Sequence, residues 1–186
     1  MKKFLPVFLV LIIVVSSFAA CSDTSPSQEP EFSPAELPSP GYEDIVLIDT
    51  VIEALQNPED WVVIDVRTIE EFNGESRLPN AYGSGRLKGS VNVDRELVFR
   101  SDGELLAYDE LMELYGFIGE RKVIVLCHGG IRSAFIWGIL SELGFRVFNY
   151  EGSWIDWSRA ASVADGYPND VVLSLTEAWT DNEGEI

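Results

Sequence analysis

The residues best suited to chemistry lie together between Cys127 and Ser133. This segment reads Cys-His-Gly-Gly-Ile-Arg-Ser, so a thiol, an imidazole and a guanidinium share a short stretch with two adjacent glycines. The residues before it, Val123–Leu126, are apolar throughout, which predicts a buried strand. The residues after it, Ser133–Leu143, predict a helix that ends at Gly144. We therefore expect a strand-to-helix loop that carries a cysteine.

A loop of this kind favours a negative charge on its cysteine. Main-chain N–H groups of a tight glycine-rich turn point into the loop, and the N-terminus of the helix adds a positive partial charge there. Both effects lower the pKa of a thiol below its ordinary value of about 8.5. A lone cysteine can instead be a small buried core residue. The glycines and the arginine around Cys127 favour catalysis, with Cys127 as a sulfur nucleophile.

The Cys127–Ser133 segment resembles the active-site loop of the rhodanese sulfurtransferases, in which a cysteine carries a transferable sulfur as a persulfide. The resemblance extends over about residues 44–160, and the last matching segment is most similar to catalytic domains of the thiosulfate and mercaptopyruvate branches. It implies a five-stranded, doubly wound α/β domain. The other matching segments, in the order that the family has them, are Asp65–Arg67 with Glu70–Phe72, Gly85–Asn92, and Tyr150–Trp157.

The chain also alternates between strand-like and helix-like segments, which predicts a parallel sheet with helices on both faces. Residues 73–89 are rich in glycine and polar residues and predict a long surface loop, whereas residues from Asp165 onward, including Val171–Leu173, fit no element. The predicted strands are Val46–Ile48, Trp61–Ile64, Val91–Val93, Val123–Leu126 and Val147–Tyr150, and the predicted helices are Thr50–Leu55, Thr68–Glu71, Asp109–Tyr115, Ser133–Leu143 and Ser153–Ala160.

Two arginines are candidates for holding an anionic substrate beside the thiol. Arg132 lies in the loop itself and can donate in a fork to an oxyanion. Arg67 follows a different strand, and ligands of such sheets bind beyond the carboxyl ends of the strands. Pairing of Arg67 with Asp65 or Glu71 is the structural alternative. The resemblance implies the substrate role, because the thiosulfate and mercaptopyruvate enzymes bind an anionic group with an arginine at this position.

The resemblance also implies a second arginine in the following loop, for which Arg77 and Arg86 are both candidates. His128 is the only histidine of the chain. Neighbouring side chains in a tight loop usually point apart, so we expect loop N–H groups rather than this imidazole to support the cysteine. The predicted loop contacts to the substrate are His128, Gly129, Gly130, Ile131, Arg132 and Ser133.

We therefore expect a sulfurtransferase that moves sulfur from thiosulfate, or a related small anion, to a thiol or cyanide through a Cys127 persulfide. One alternative is a sulfur carrier or binding module without enzymatic activity. Another is a cysteine phosphatase, which the four residues between Cys127 and Arg132 disfavour because phosphate needs a wider loop. One histidine and one loop thiol are too few ligands for a zinc or haem site, so we expect no metal and no cofactor.

The first residues predict export. Residues 1–20 combine a basic start, an apolar stretch and small residues, as a signal peptide does. Cys21 follows Ala19-Ala20 and resembles a bacterial lipoprotein processing site, which implies a lipid anchor at Cys21 and a position facing the periplasm or the cell exterior. An ordinary signal peptide or an uncleaved anchor is the alternative.

The remaining organisation follows from composition. Residues 21–41 are rich in proline and serine and predict a tether. Residues 42–163 are long enough for one domain with a single core, and residues 164–186 form an acidic C-terminal extension. The formal net charge of −18 disfavours nucleic acid as a partner.

Overall fold

A five-stranded parallel sheet with helices on both faces forms the centre of the protein, as the sequence predicts. The computed structural model describes residues 36–76, 78–162 and 170–181. The strands are β1 (Ile45–Val46), β2 (Trp61–Asp65), β3 (Gly83–Leu87), β4 (Val91–Asn92), β5 (Lys122–Leu126), β6 (Val147–Tyr150) and β7 (Thr176–Asp181). The large sheet has the order β1-β6-β5-β2-β4, and β3 and β7 form a separate antiparallel pair.

The helices lie between the strands along the chain. Short 3₁₀ turns at Tyr42–Asp44, Arg95–Val98 and Gly116–Ile118 complete the connections. The α-helices are α1 (Ile48–Gln56), α2 (Ile69–Phe72), α3 (Tyr108–Tyr115), α4 (Ile131–Glu142), α5 (Ser153–Ala161) and α6 (Asp170–Ser174).

In the two neighbouring strands β2 and β5, Trp61–Ile64 and Val123–Leu126 are apolar without alternation, because both faces of the sheet are covered. They pair in parallel from Trp61 with Lys122 to Asp65 with Leu126. Successive side chains along β5 enter opposite cores: Val123 and Val125 pack with α3 and α4, and Ile124 packs with α1 and α5. The ends of β2 and β5 are therefore fixed next to each other.

The predicted loop over residues 73–89 is wrong in its second half, since Gly83–Leu87 forms β3. The pairing partner is β7, a segment that the sequence left unplaced. The glycines on which the loop prediction was based allow this close pairing. A Cβ on Gly83 would lie 2.5 Å from the Trp179 ring, and one on Gly85 would lie 2.7 Å from the Glu177 carbonyl oxygen. Val171–Leu173, also unplaced from sequence, belongs to α6, where Val172 is buried.

Elsewhere the predicted elements are confirmed with small shifts of their ends. Helix α4 begins at Ile131, two residues before the predicted start at Ser133, and Gly144 adopts the expected left-handed conformation with φ of 86°. Thr68 caps α2 through the predicted capping box with Glu71. The predicted signal peptide, Cys21 and Arg77 lie outside the described residues. Within the described ranges, none of the helices is long and apolar enough to span a bilayer.

Candidate active site

The candidate site lies where β2 and β5 end side by side. Val66, just beyond β2, donates its N–H to the carbonyl oxygen of Leu126 at 2.9 Å, so the two strand ends stay in register up to the loop. Cys127 follows immediately on β5, and Arg67 follows on β2. The parallel sheet thus brings Cys127, Arg67 and Arg132 to one edge, as the sequence predicts for ligand binding in this fold class.

The thiol of Cys127 faces main-chain donors of its own loop. The N–H of Gly130 lies 3.2 Å from Sγ. Gly130 has φ of 89°, a left-handed conformation in which a Cβ would meet the Glu151 carbonyl oxygen at 2.6 Å. Only glycine fits here without strain. This residue therefore turns the chain so that the loop closes over the sulfur just before α4 begins.

These donors change the acidity of the thiol. Burial raises the pKa of Cys127, but hydrogen bonding from the N–H and hydroxyl of Ser133 and from the N–H groups of Gly129 and Gly130 lowers it by more, so the pKa lies below that of an ordinary thiol. The Ser133 hydroxyl is also 3.0 Å from the Gly130 carbonyl oxygen, and its single proton serves one acceptor at a time.

Cys127 is deeply placed, with 1% of its surface exposed, and it belongs to the core packed against α4. Burial alone would equally describe a structural cysteine. The distinguishing feature is the set of donors aimed at its sulfur. Two residues of the same loop, Gly129 and Ile131, are exposed to solvent, the latter at 85%.

Arg132 is bound to a carboxylate that α2 supplies. Its Nη1 and Nη2 donate to the two carboxylate oxygens of Glu71 at 2.7 and 2.9 Å. Burial raises the pKa of Glu71, but the bonds from Arg132 and from the N–H of Thr68 lower it by more. The pKa of Arg132 is raised above its ordinary value, because Glu71 accepts its hydrogen bonds and because Cys127 is close by. The structure thus brings Arg132 and Cys127 together.

Arg67 is enclosed, and the structure shows the pairing with Asp65. Its side chain is 1% exposed and donates through Nε and Nη2 to both carboxylate oxygens of Asp65 and through Nη2 to the Gly85 carbonyl. Its guanidinium also lies 4.5 Å from the centre of the Trp154 ring. A direct contact of Arg67 with a substrate anion stays a prediction.

Arg86, a candidate for the second arginine, lies on β3 and is bound by Glu177 of β7 at 3.2 Å. Its guanidinium is 5.1 Å from the centre of the Phe72 ring on α2. The sequence did not anticipate this carboxylate partner, because β7 was unplaced. A role of Arg86 in substrate binding also stays a prediction.

The imidazole of His128 binds a main-chain carbonyl rather than the thiol of Cys127. Its Nε2 lies 2.8 Å from the Pro79 carbonyl oxygen, so Nε2 carries the proton and donates. Burial is the main cause that lowers its pKa, which keeps the imidazole neutral near pH 7. Nδ1 is buried and has no hydrogen-bond partner among the described residues. This geometry favours loop N–H groups over His128 as the support of the thiolate.

The residues at the start of α5 also contact the Cys127 loop, although no pattern in the sequence predicted this. The hydroxyl of Ser153 accepts the N–H of Cys127 at 3.1 Å. Trp154 and Ile155 donate their N–H groups to the carbonyl oxygens of Cys127 and His128, both at 3.0 Å. Ser153 lies in a segment that matched the family, but its residue type alone carries no signal of contact with a loop 26 positions earlier.

The arrangement suits an anionic sulfur. A thiolate with main-chain donors around it and a guanidinium beside it can attack an electrophilic sulfur and hold the charged product. Among residues 36–76, 78–162 and 170–181, no group of three or more histidine, cysteine, aspartate or glutamate side chains could hold a metal ion.

Comparisons with known proteins agree with this chemistry. A family model described as a rhodanese-like domain matches residues 48–160. A thiosulfate sulfurtransferase of Pseudomonas aeruginosa is 30% identical over 109 residues, which are 54% of this chain and 38% of that protein. A provisionally named thiosulfate sulfurtransferase of Haloferax volcanii is 36% identical over 107 residues, which are 52% of this chain and 37% of that protein. The chain thus spans little more than a third of the length of these relatives.

Solved structures show the same likeness. The anaerobic ergothioneine biosynthesis enzyme of Chlorobium limicola, in complex with trimethyl histidine, has a TM-score of 0.58 and 26% identity, and the match covers 63% of this chain and 30% of that one. A structure of EanB with the same values is described as a cysteine persulfide in a tetrahedral intermediate state with ergothioneine. The match therefore concerns one part of a longer protein in each case.

Proposed function

We propose that this chain, which belongs to the rhodanese-like domain family, is a sulfurtransferase that carries sulfur on Cys127. Relatives named thiosulfate sulfurtransferases support the class of reaction. The observation that carries the proposal is the Gly130 N–H at 3.2 Å from Sγ, in a loop whose donors lower the pKa of this thiol. A cysteine that only fills space needs no donors around its sulfur.

In the first half-reaction, the Cys127 thiolate attacks the outer sulfur of thiosulfate. A new S–S bond forms at Sγ while the bond to the central sulfur breaks, and sulfite leaves with that electron pair. The product is a persulfide with its negative charge on the terminal sulfur. The N–H groups of residues 128–131 and 133 are the groups we assign to stabilise this charge.

In the second half-reaction, a nucleophilic acceptor takes the terminal sulfur. Cyanide or a thiolate forms a bond to that sulfur, and the Cys127 thiolate leaves with the electron pair of the S–S bond. The loop donors that stabilise the thiolate make it a better leaving group. The enzyme returns to its starting state, so ping-pong kinetics are expected.

Arg132 is the side chain we assign to bind the oxygens of the donor. Glu71 uses two of the five N–H groups of its guanidinium, which leaves others for an anion. Arg67 adds positive charge from the interior, partly offset by Asp65. Since the whole chain carries −18, this local charge must offset a repulsive field, and moderate salt should speed thiosulfate capture.

The test is thiosulfate-to-cyanide transfer by the purified full chain. Wild type should produce thiocyanate, and Cys127 should gain about 32 Da, one sulfur atom, after exposure to thiosulfate alone. Mercaptopyruvate and polysulfide, tested in parallel, rank the donors. Persulfide without turnover would identify a sulfur carrier, and hydrolysis of an aryl phosphate without thiosulfate activity would identify a phosphatase. Either result contradicts the proposal.

We further propose that the protein is exported and anchored through lipid on Cys21. Support comes from residues 1–20 and from Cys21 directly after two alanines. Cells that express the full chain should incorporate labelled palmitate into it and retain it in the membrane fraction. The Cys21→Ser variant should lose the label. Wild-type protein recovered unlabelled from the cytoplasm would contradict this proposal.

A further inference from the structure

A buried serine holds the main chain of the nucleophile. Ser153 begins α5 and has none of its surface exposed. Its Oγ accepts the N–H of Cys127 at 3.1 Å and donates to the carbonyl oxygen of Tyr150 at 2.7 Å. Because a hydroxyl has one proton, its 4.0 Å approach to Cys127 Sγ is a secondary contact. Ser153 therefore acts on the backbone of Cys127 more than on its sulfur.

The backbone of Ser153 is strained, and glycine would remove the strain. Its φ is 51°, in the left-handed region where a Cβ is unfavourable, whereas the preceding Gly152 has an ordinary φ of −61°. Such conformations at residues other than glycine persist where the surroundings hold them, and they concentrate at functional sites. The two hydrogen bonds of its hydroxyl give a reason for a side chain at this position.

The rest of the first turn of α5 binds the same loop. The N–H groups of Trp154 and Ile155 draw the carbonyls of Cys127 and His128 towards α5. In a planar trans peptide, the N–H of the next residue points the opposite way from the carbonyl. The His128 carbonyl directed at α5 thus turns the N–H of Gly129 to the other side, where it donates to the thiol.

We propose that Ser153 is a positioning residue that, with the first turn of α5, orients the Cys127 loop and sets the reactivity of its thiol. The inference rests on the proposed function, in which the Cys127 thiolate is the nucleophile. Without the hydroxyl, the N–H of Cys127 would be buried without its acceptor, and the loop would relax to satisfy it. The short contact between the Gly130 N–H and Sγ depends on the same backbone.

The informative variant is Ser153→Gly in the full chain, because it removes the hydroxyl and relieves the strain together. The readout is the rate of Cys127 alkylation by iodoacetamide against pH, followed on the Cys127 peptide by mass spectrometry so that Cys21 does not contribute. The apparent pKa of Cys127 should rise by about one unit, which reduces the thiolate fraction about tenfold at pH values well below that pKa. Persulfide formation from thiosulfate should slow by a similar factor, with a smaller change in KM.

The matched control is Ser158→Ala. Ser158 lies on the same helix, is equally buried, accepts the N–H of Tyr82 and donates to the Ile155 carbonyl, so it is a comparable serine away from the thiol. This variant should keep the wild-type pH profile of alkylation. If the control shifts the profile as much as Ser153→Gly does, the effect is general loosening and the inference fails.

The remaining outcomes are also decisive. If Ser153→Gly keeps the wild-type alkylation profile, at any stability, Ser153 has no positioning role. Ser153→Ala, which retains the strain, should shift the profile in the same direction, and a normal profile in either variant contradicts the proposal. If wild type forms no persulfide from any donor, the proposed function fails, while the alkylation profiles still decide whether Ser153 controls the thiol.

Discussion

The two central strands end at the same edge of the sheet, but their ends use charge in different ways. At the end of β2, Arg67 and Asp65 form an ion pair with 1% and 0% of their side chains exposed. After β5, Arg132 keeps 27% of its side chain exposed, and the loop directs N–H groups at a thiol. The charges at the end of β2 pair with each other, whereas the loop after β5 retains hydrogen-bond donors that a substrate can use.

This difference separates the residues that stabilise the fold around the site from the residues that carry out its chemistry. A buried ion pair contributes little net stability compared with apolar packing, yet breaking it is costly because a charge is left without a partner. The Arg67 end is therefore expected to control folding, and the Cys127 end is expected to control activity. Variants at the two ends should separate these effects.

The largest effect is expected from Cys127→Ser. The serine hydroxyl cannot carry a persulfide, so thiocyanate production should fall at least about a thousandfold. The gain of mass after thiosulfate treatment should disappear with it. The free energy of unfolding should change by less than about 1 kcal/mol, because the replaced atom is similar in size. Residual turnover near the wild-type rate would place the chemistry elsewhere.

Arg67→Met and Arg132→Met test the comparison directly. Arg67→Met leaves Asp65 charged and buried, so it should reduce the free energy of unfolding by about 3–5 kcal/mol. Arg132→Met should reduce it by about 1–2 kcal/mol, since its pair with Glu71 is partly exposed. Urea unfolding provides the measurement for both variants.

The activities of the same pair should follow the opposite order. Arg132→Met should lower kcat/KM for thiosulfate about tenfold or more, while the remaining folded Arg67→Met protein should stay closer to wild type. Two results would contradict this division between a folding role for Arg67 and an activity role for Arg132. One is a greater loss of stability in Arg132→Met than in Arg67→Met, and the other is a greater loss of kcat/KM in Arg67→Met.

Acid should weaken the pair between Glu71 and Arg132. The folded-state pKa of Glu71 lies below its ordinary 4.5, because the bonds from Arg132 and Thr68 outweigh burial. Its contribution to stability is therefore complete above pH 4.5 and is lost as the pH falls through the lower folded-state value. Urea midpoints measured from pH 6 to pH 3 should fall less steeply for Glu71→Gln than for wild type. Parallel curves would show that Glu71 contributes nothing in this range.

The smallest effect is expected from His128→Ala. The imidazole donates to the Pro79 carbonyl, and general-base catalysis would be worth at least about a hundredfold. We therefore expect less than about a threefold loss of kcat, measured with thiosulfate and cyanide near pH 7. A loss approaching a hundredfold would restore His128 as the base.

Local patterns in the sequence were sufficient to predict the centre of the fold. The apolar run of β5 predicts a buried parallel strand, and the glycines before α4 predict the tight loop that the structure confirms around Cys127. The capping box of α2 is also local in sequence, and it places Glu71 where Arg132 can bind it.

The parts that the sequence did not predict depend on distant partners. Strand β3 contains two glycines and forms because β7 pairs with it. No local pattern in the sequence predicts such a partner. The role of Ser153 depends on a left-handed φ that a serine rarely adopts. Asp65 as the partner of Arg67 was one of two alternatives, and only the geometry distinguishes it from Glu71.

The pairing of β3 with β7 has a consequence for how the protein matures. The ion pair across it joins Arg86 to Glu177, 91 positions later in the chain. Contacts between such distant segments are slow to form, because the entropy of closing a long loop must be lost before they stabilise the chain. During synthesis, β3 and the neighbouring face of Trp154 must therefore remain uncovered until β7 has emerged.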